Sequence, residues 1–333
     1  GVLIGYVDTG IDYTNAIFRN SNNTTKIVSI WDQTIQSDSN YPKGLYYGTE
    51  FTREQINQAL NSKNPYKVVP SVDEIGHGTV LAGVTAGSPQ PYVGFTGIVP
   101  KAEIVMVKLK TAKPYLKNFF QIPQESICYQ ENDIIFGVKY LLQVAEKLKR
   151  PMVICIGLGT NQGAHSEHGI LNTYLSGICR LPGIAVVVAG GNEGNRGHHY
   201  YKEIASEEAN SFELHVGNNE KGFSMELWCM APNTVAVDII APTAENIAYI
   251  PTPLTQPDTM VVNYQGTQLF IDTLVKETGT SHQLVMLRFR DPLPGNWRFN
   301  VITEGITPTR YHVWLPIESF ITPGTFFLEP DEY

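Results

Sequence analysis

Three short glycine-containing segments constrain this chain more than any other feature. In order they are Gly5-Tyr6-Val7-Asp8-Thr9-Gly10-Ile11-Asp12, Gly76-His77-Gly78-Thr79-Val80-Leu81-Ala82-Gly83 and Val188-Ala189-Gly190-Gly191-Asn192-Glu193-Gly194. The first and third each follow an apolar run, 2–7 and 184–189. Such a run reads as a buried parallel strand. It delivers Asp8 directly at its C-terminal end, and it leads into a Gly-rich turn from which the Asn192 amide projects. The small residues around His77 suit close packing at the start of a helix.

Two further apolar runs, 103–109 and 151–158, predict more strands of the same kind. Thr52-Arg53-Glu54-Gln55 is a capping-box pattern, so a helix is expected from there to about Leu60. After Asn132-Asp133, the residues Ile134, Val138, Leu141, Ala145 and Leu148 recur at helical spacing, and Ile135 and Leu142 widen that face. Residues 170–179 read as another helix. Strands alternating with helices argue for an α/β domain on a parallel sheet over residues 1–205. The pattern then changes. The segments 211–216, 223–228, 235–240, 294–301 and 312–315 are short and turn-separated, and Trp297, Phe299 and Val301 share one face. Residues 206–333 are therefore expected to form an antiparallel β-sandwich.

Composition narrows the classes of partner. The 333 residues carry 24 Lys and Arg against 32 Asp and Glu, a net charge of −8. That argues against nucleic acid or an anionic membrane as the main partner. No apolar run approaches the roughly 20 residues of a membrane span. The cysteines Cys128, Cys155, Cys179 and Cys229 lack metal-type spacing and read as buried free thiols, which favours a reducing compartment. Residue 2 already reads as core strand, so Gly1 is expected to be an edge left by processing or cloning. No metal or cofactor site is expected. His198-His199 reads as a loop pair, and His165, Glu167 and His168 are candidates for a specificity role.

Taken singly, each segment has a structural explanation. Asp-Thr-Gly is a common turn. Gly190 to Gly194 is a loop, and no amphipathic helix follows it as a dinucleotide turn would require. The order of all three is what carries chemistry: a carboxylate, a histidine and a polar amide, each at a strand end or helix start. In that order they resemble the aspartate, histidine and oxyanion segments of the subtilisin-like serine proteases. The resemblance covers about the first 200 residues and implies a subtilisin-like α/β catalytic domain. It implies Asp8 and His77 as triad members and Asn192 as the oxyanion-hole amide. Gly157, Leu158 and Gly159 would bind the substrate backbone, and Ser126 would lie on the opposite wall, the substrate being added as a β-strand between them. An Asp8 oxygen is then expected within about 2.6–3.2 Å of His77.

Departures from the family pattern matter. Val80 stands where a second histidine is common, and Gly157 where a serine is. The nucleophile is not in the chain: Gly279-Thr280-Ser281-His282 lacks the small-apolar helix and proline that should follow, and Gln283 to Leu287 reads as a strand. Ser281 is therefore expected in a sandwich loop. The 333 residues are expected to be a truncated piece, inactive and not independently folded, with Val80, Leu81, Val84 and the strand 184–188 left uncovered. The placement of the sandwich, the Pro294-Gly295-Asn296-Trp297 stretch and residues 156–163 resemble the clostridial Csp proteases. In these a jelly roll is inserted before the serine segment. That resemblance implies a germination hydrolase precursor as substrate, a propeptide as a further partner, and spore association. It also leaves open a non-catalytic pseudoprotease acting by protein binding. A sugar-binding module, suggested by the β-rich half, rests on fold analogy alone.

Overall fold

The computed structural model describes residues 1–166, 168–205, 209–252, 258–303 and 307–330. The chain divides into two compact units. The first comprises Gly1–Ala112, Ile127–Gly159 and Thr173–Gly190; the second comprises Lys113–Ser126, Thr160–Asn172 and Gly191–Tyr333. Glu167, residue 206 (where the second domain was expected to begin) and Tyr333 lie outside the described residues.

The first unit is built on strands β1 (Leu3–Asp8), β2 (Ile27–Asp32), β3 (Thr49–Thr52), β4 (Glu103–Lys108), β5 (Met152–Ile156) and β6 (Ile184–Val188). They form one sheet in the order β3-β2-β4-β1-β5-β6. Only β3 runs antiparallel to its neighbour; the others are parallel. The alternation of side chains along a strand sends successive residues to opposite faces. Leu3 and Val7 of β1, with Val105 and Val107 of β4, pack with Val138, Leu141 and Ala145 of the helix α4 (Glu131–Leu148). Ile4, Tyr6, Ile104 and Met106 face the other way. There they meet Ile56 of α1 (Arg53–Leu60) and Ala82 and Ala86 of α2 (His77–Ala86). The result is a helix–sheet–helix sandwich, in which each fully buried aliphatic side chain contributes about 1.5–3 kcal/mol.

Local sequence accounts for the helices. Thr52 caps α1, and its capping box with Gln55 is complete. The apolar face of α4 is as its spacing predicts, except that Leu148, its last residue, is exposed. Tyr140 and Val144 are buried with that face. Sheet edge β6 and helix α2 leave an apolar surface. Val80, Val84, Val187 and Val188 are exposed by 66, 52, 53 and 58%, whereas Leu81, Ile184 and Val186 are half-buried.

The second unit holds the short helix α3 (Pro114–Phe119) and two antiparallel sheets. One joins β8 (Ala209–Val216), β10 (Val235–Ile240), β11 (Asn246–Ile250), β15 (Gly295–Thr303) and β17 (Phe326–Phe327) in the order β11-β10-β15-β8-β17. The other orders β7 (His199–Ile204), β9 (Gly222–Cys229), β12 (Asp258–Tyr264), β13 (Thr267–Leu274), β14 (Gln283–Arg290) and β16 (Thr309–Trp314) as β12-β13-β14-β9-β16-β7. Their inner faces share one core, with Phe212, Trp297, Phe299 and Val301 from the first sheet and Phe223, Leu287, Phe289 and Val313 from the second. Phe289 meets Trp297 edge-on at 5.3 Å. All four cysteines are free thiols. Cys128 and Cys229 are buried as expected, but Cys155 is half-buried and Cys179, at the end of α5 (Ile170–Ile178), is exposed. No helix among the described residues is long and apolar enough to cross a membrane.

Candidate active site

Asp8 is the last residue of β1, held on one side by its pairing with Lys108 and fully buried. A carboxylate at the end of a central strand has its backbone fixed by the sheet, so only the side chain remains to be oriented. Its Oδ1 accepts from Thr9 N at 2.7 Å and from His77 Nδ1 at 2.7 Å. Because a carboxylate only accepts, Nδ1 carries a proton, and in the neutral ring Nε2 keeps its lone pair. The His77 side chain is half-exposed. Asp8 Oδ2 is buried and meets no donor among the described residues.

His77 opens α2, whose N-cap, Gly76, has no side chain with which to cap it. Asp73 takes over that task. Its Oδ1 accepts from Gly76 N at 2.9 Å, and its Oδ2 from Thr79 N at 3.0 Å and Thr79 Oγ1 at 2.6 Å. Oδ1 also accepts from Thr9 Oγ1 at 2.8 Å, and Thr9 Oγ1 in turn accepts from Gly78 N at 2.9 Å. One carboxylate thus ties the turn after Asp8 to the helix that begins at His77. Burial pushes the Asp73 carboxyl up, but the hydrogen bonds from Thr79, Gly76 and Thr9 outweigh it and hold the group below the usual carboxylate range. The two segments can meet only because residue 78 is glycine: a Cβ there would lie 2.2 Å from Gly10 O.

The exit of β5 completes this region. A Cβ on Gly157 would sit 2.7 Å from Asp8 Oδ2, 2.8 Å from Leu81 Cδ2 and 3.0 Å from His77 Cε1. Leu158 is half-buried and Gly159 exposed. Among the described residues, 157–159 make no backbone–backbone hydrogen bond. Nearby groups sense the carboxylates: burial, then the charges of Asp8 and Asp73, push the Tyr129 hydroxyl up to about 12. Burial and Asp8 likewise raise the Cys155 thiol. β1, β5 and β6 are adjacent, and open α/β sheets place their sites at the C-terminal ends of such strands.

The remaining residues fall in the second unit. Asn192 is exposed in the turn that follows Gly191. Ser126 is half-buried, and its Oγ donates to Ser319 O at 3.2 Å. Ser281 has a φ of 60° in a turn whose Thr280 hydroxyl bonds Glu277, directly before β14. His198 Nδ1 lies 2.7 Å from Glu193 Oε2. His199 opens β7 rather than a loop, and its Nε2 is 3.0 Å from His312 Nδ1. His165 stacks on Trp314 at 3.6 Å. Among the described residues, no group of three or more His, Cys, Asp or Glu could hold a metal ion.

The Subtilase family (peptidase S8) profile matches residues 1–281. The chain belongs to the subtilase family. Among curated subtilases it is 25% identical over 212 residues to the subtilisin-like protease SBT3.3 of Arabidopsis thaliana, covering 58% of this chain and 25% of that protein. It is 24% identical over the same length to SBT3.6 of that plant. Among solved structures it is similar to the Clostridium perfringens CspB protease, with a TM-score of 0.83 and 25% identity, over 100% of this chain and 64% of that one. The chain therefore spans a quarter of the length of the plant relatives and under two thirds of the clostridial one. It is a Csp-like subtilase whose parallel sheet is followed by a β-rich region.

Sequence reasoning missed Asp73 and its two threonines. The signal was present as Asp73 three residues before Gly76, in the spacing of a helix cap, but its link to Thr9 is a long-range contact that no local pattern carries.

Proposed function

We propose that this chain supplies the aspartate, histidine and oxyanion amide of a subtilisin-type serine endopeptidase, and that the nucleophile comes from a serine segment outside residues 1–333. The observation that carries this reading is the 2.7 Å contact between Asp8 Oδ1 and His77 Nδ1, made by a His77 side chain that is half-exposed. In the reaction, Nε2 takes the proton from the attacking serine hydroxyl and returns it to the leaving amine. Asp8 fixes the tautomer and stabilises the imidazolium. Asn192, by its place in the motif order, donates to the oxyanion. The unpaired backbone of Gly157-Leu158-Gly159 suits a substrate added as a strand, with Ser126 as a further contact. The catalytic domain then takes in the parallel sheet and its helices within residues 1–205, and the jelly-roll insert takes in residues 206–333 together with β7 (His199–Ile204), which pairs in its sheet. The resemblance to Csp proteases supports a germination hydrolase precursor as substrate and a propeptide as a further partner. The 333 residues by themselves are inactive on this reading.

The test is peptide cleavage by the protein that joins these residues to a serine segment. In subtilisin, a member of this family, loss of the histidine lowers kcat by about a million-fold and loss of the aspartate by about 3 × 10⁴. His77→Ala and Asp8→Ala are expected to follow that order. Cleavage that survives His77→Ala refutes the mechanism. A wild-type protein that binds peptides without cutting them is instead a pseudoprotease.

A further inference from the structure

The turn that carries Asn192 is made largely of glycine. Gly190, Gly191, Gly194 and Gly197 fall within eight residues, and each adds backbone freedom that an ordinary residue would remove. A donor that stabilises developing charge must be held in place before the reaction. Something has to immobilise this turn: its backbone is tied at the ends, by Ala189 N to Ile156 O and by Phe327 N to Gly197 O and Leu315 N to His198 O, and between them only Arg196 N to Glu193 O closes the turn on itself among the described residues. Between Ala189 and Gly197 one side chain reaches inward. Glu193, next to Asn192, turns its carboxylate away from solvent. Oε2 meets His198 Nδ1 at 2.7 Å, and both oxygens lie 3.2–3.3 Å from Glu318 N. His198 is 4% exposed, so its ring position is set by packing. Arg196 closes the loop from the outside through Glu318 Oε2 at 2.7 Å.

We propose that Glu193 is a positioning residue: its carboxylate, clamped between His198 and the backbone of Glu318, fixes the turn that presents the Asn192 amide. The proposal rests on reading Asn192 as the oxyanion donor. It also explains why a charged side chain beside Asn192 is only 20% exposed.

Two measurements separate the inference from the reading beneath it. In the protein that joins these residues to a serine segment, backbone order parameters at Gly191 and Asn192 are expected near 0.85 in the wild type and below about 0.6 in Glu193→Ala, with β9 and β15 unchanged. Glu193→Gln, which keeps one accepting oxygen, is expected to restore most of the order and guards against a general folding defect. Unchanged order in Glu193→Ala overturns the proposal. In the cleaving protein, Glu193→Ala is expected to lower kcat about 10–100-fold with KM within about twofold, less than the 10²–10³ that removal of an oxyanion donor costs in subtilisin. In an Asn192→Ala background it should cost nothing further, since it acts through Asn192. Fully additive losses overturn the proposal. An Asn192→Ala variant with wild-type kcat overturns the oxyanion reading instead, and the order parameters then decide on the clamp alone.

Discussion

Asp73 is the residue on which the two halves of the Asp8–His77 pair depend for their relative position. It caps the helix that starts at His77 and holds the hydroxyl of Thr9, one residue past Asp8. Asp73→Ala is expected to destabilise the first unit by about 2 kcal/mol, the upper end of what a lost helix cap costs, read from urea melts. Asp73→Asn should cost less, because one oxygen still accepts. The sign of the pH effect follows from its depressed folded value. The folded state holds the proton less tightly than the unfolded chain, whose aspartate titrates near 3.9. The contribution is therefore fully present above that pH and is lost as pH falls below it through the folded value. Acid titration of stability should show a steeper loss below about pH 4 in the wild type than in Asp73→Asn.

At the scale of elements, what was legible had local causes. The capping box at Thr52, the i, i+3, i+4 face of α4 and the apolar runs of β1, β4, β5 and β6 each write their structure into neighbouring residues, and their bounds fall within one to three residues of expectation. The alternation around Trp297 and Phe299 marked β15 for the same reason. Illegible were elements defined by distant partners. β2 begins beside Lys26, whose buried ammonium is satisfied by the carbonyls of Ala86 and Pro100 from far along the chain. The segments 113–126 and 160–172 pack with the β-rich unit although they lie between strands of the parallel sheet. Of the candidate site, the meeting of Asp8 and His77 was readable in their segments, and the supports, Asp73, Thr79 and the Glu193 clamp, were not. Where β5 meets α2, the glycine at 157 is a packing requirement. Gly157→Ser, which restores the residue common in the family, is expected to cost about 1–3 kcal/mol through overpacking against Leu81 and Asp8. It should also shift the His77 Cε1–H resonance, whereas the same change at Gly159, where a Cβ meets nothing within 4 Å, should do neither.

For the whole molecule, the first unit offers a place for a base and its orienting carboxylate, and an apolar surface beside it. Val80 and Val84 on α2 and Val187 and Val188 on the edge strand β6 are exposed, and an open strand edge of this kind is a template for further pairing. The second unit, sealed around its aromatic core, carries Asn192 and Ser281. On the proposed reading, His77 and Asp8 activate a serine that is not among residues 1–333. Site mapping of a fluorophosphonate adduct by mass spectrometry, on the protein that joins these residues to a serine segment and on residues 1–333 alone, tests it most directly. The account predicts one labelled serine, in a Gly-Thr-Ser segment outside these residues, with labelling lost in His77→Ala and no stoichiometric adduct on 1–333. Stoichiometric labelling of Ser281, or of any serine within 1–333, would contradict it.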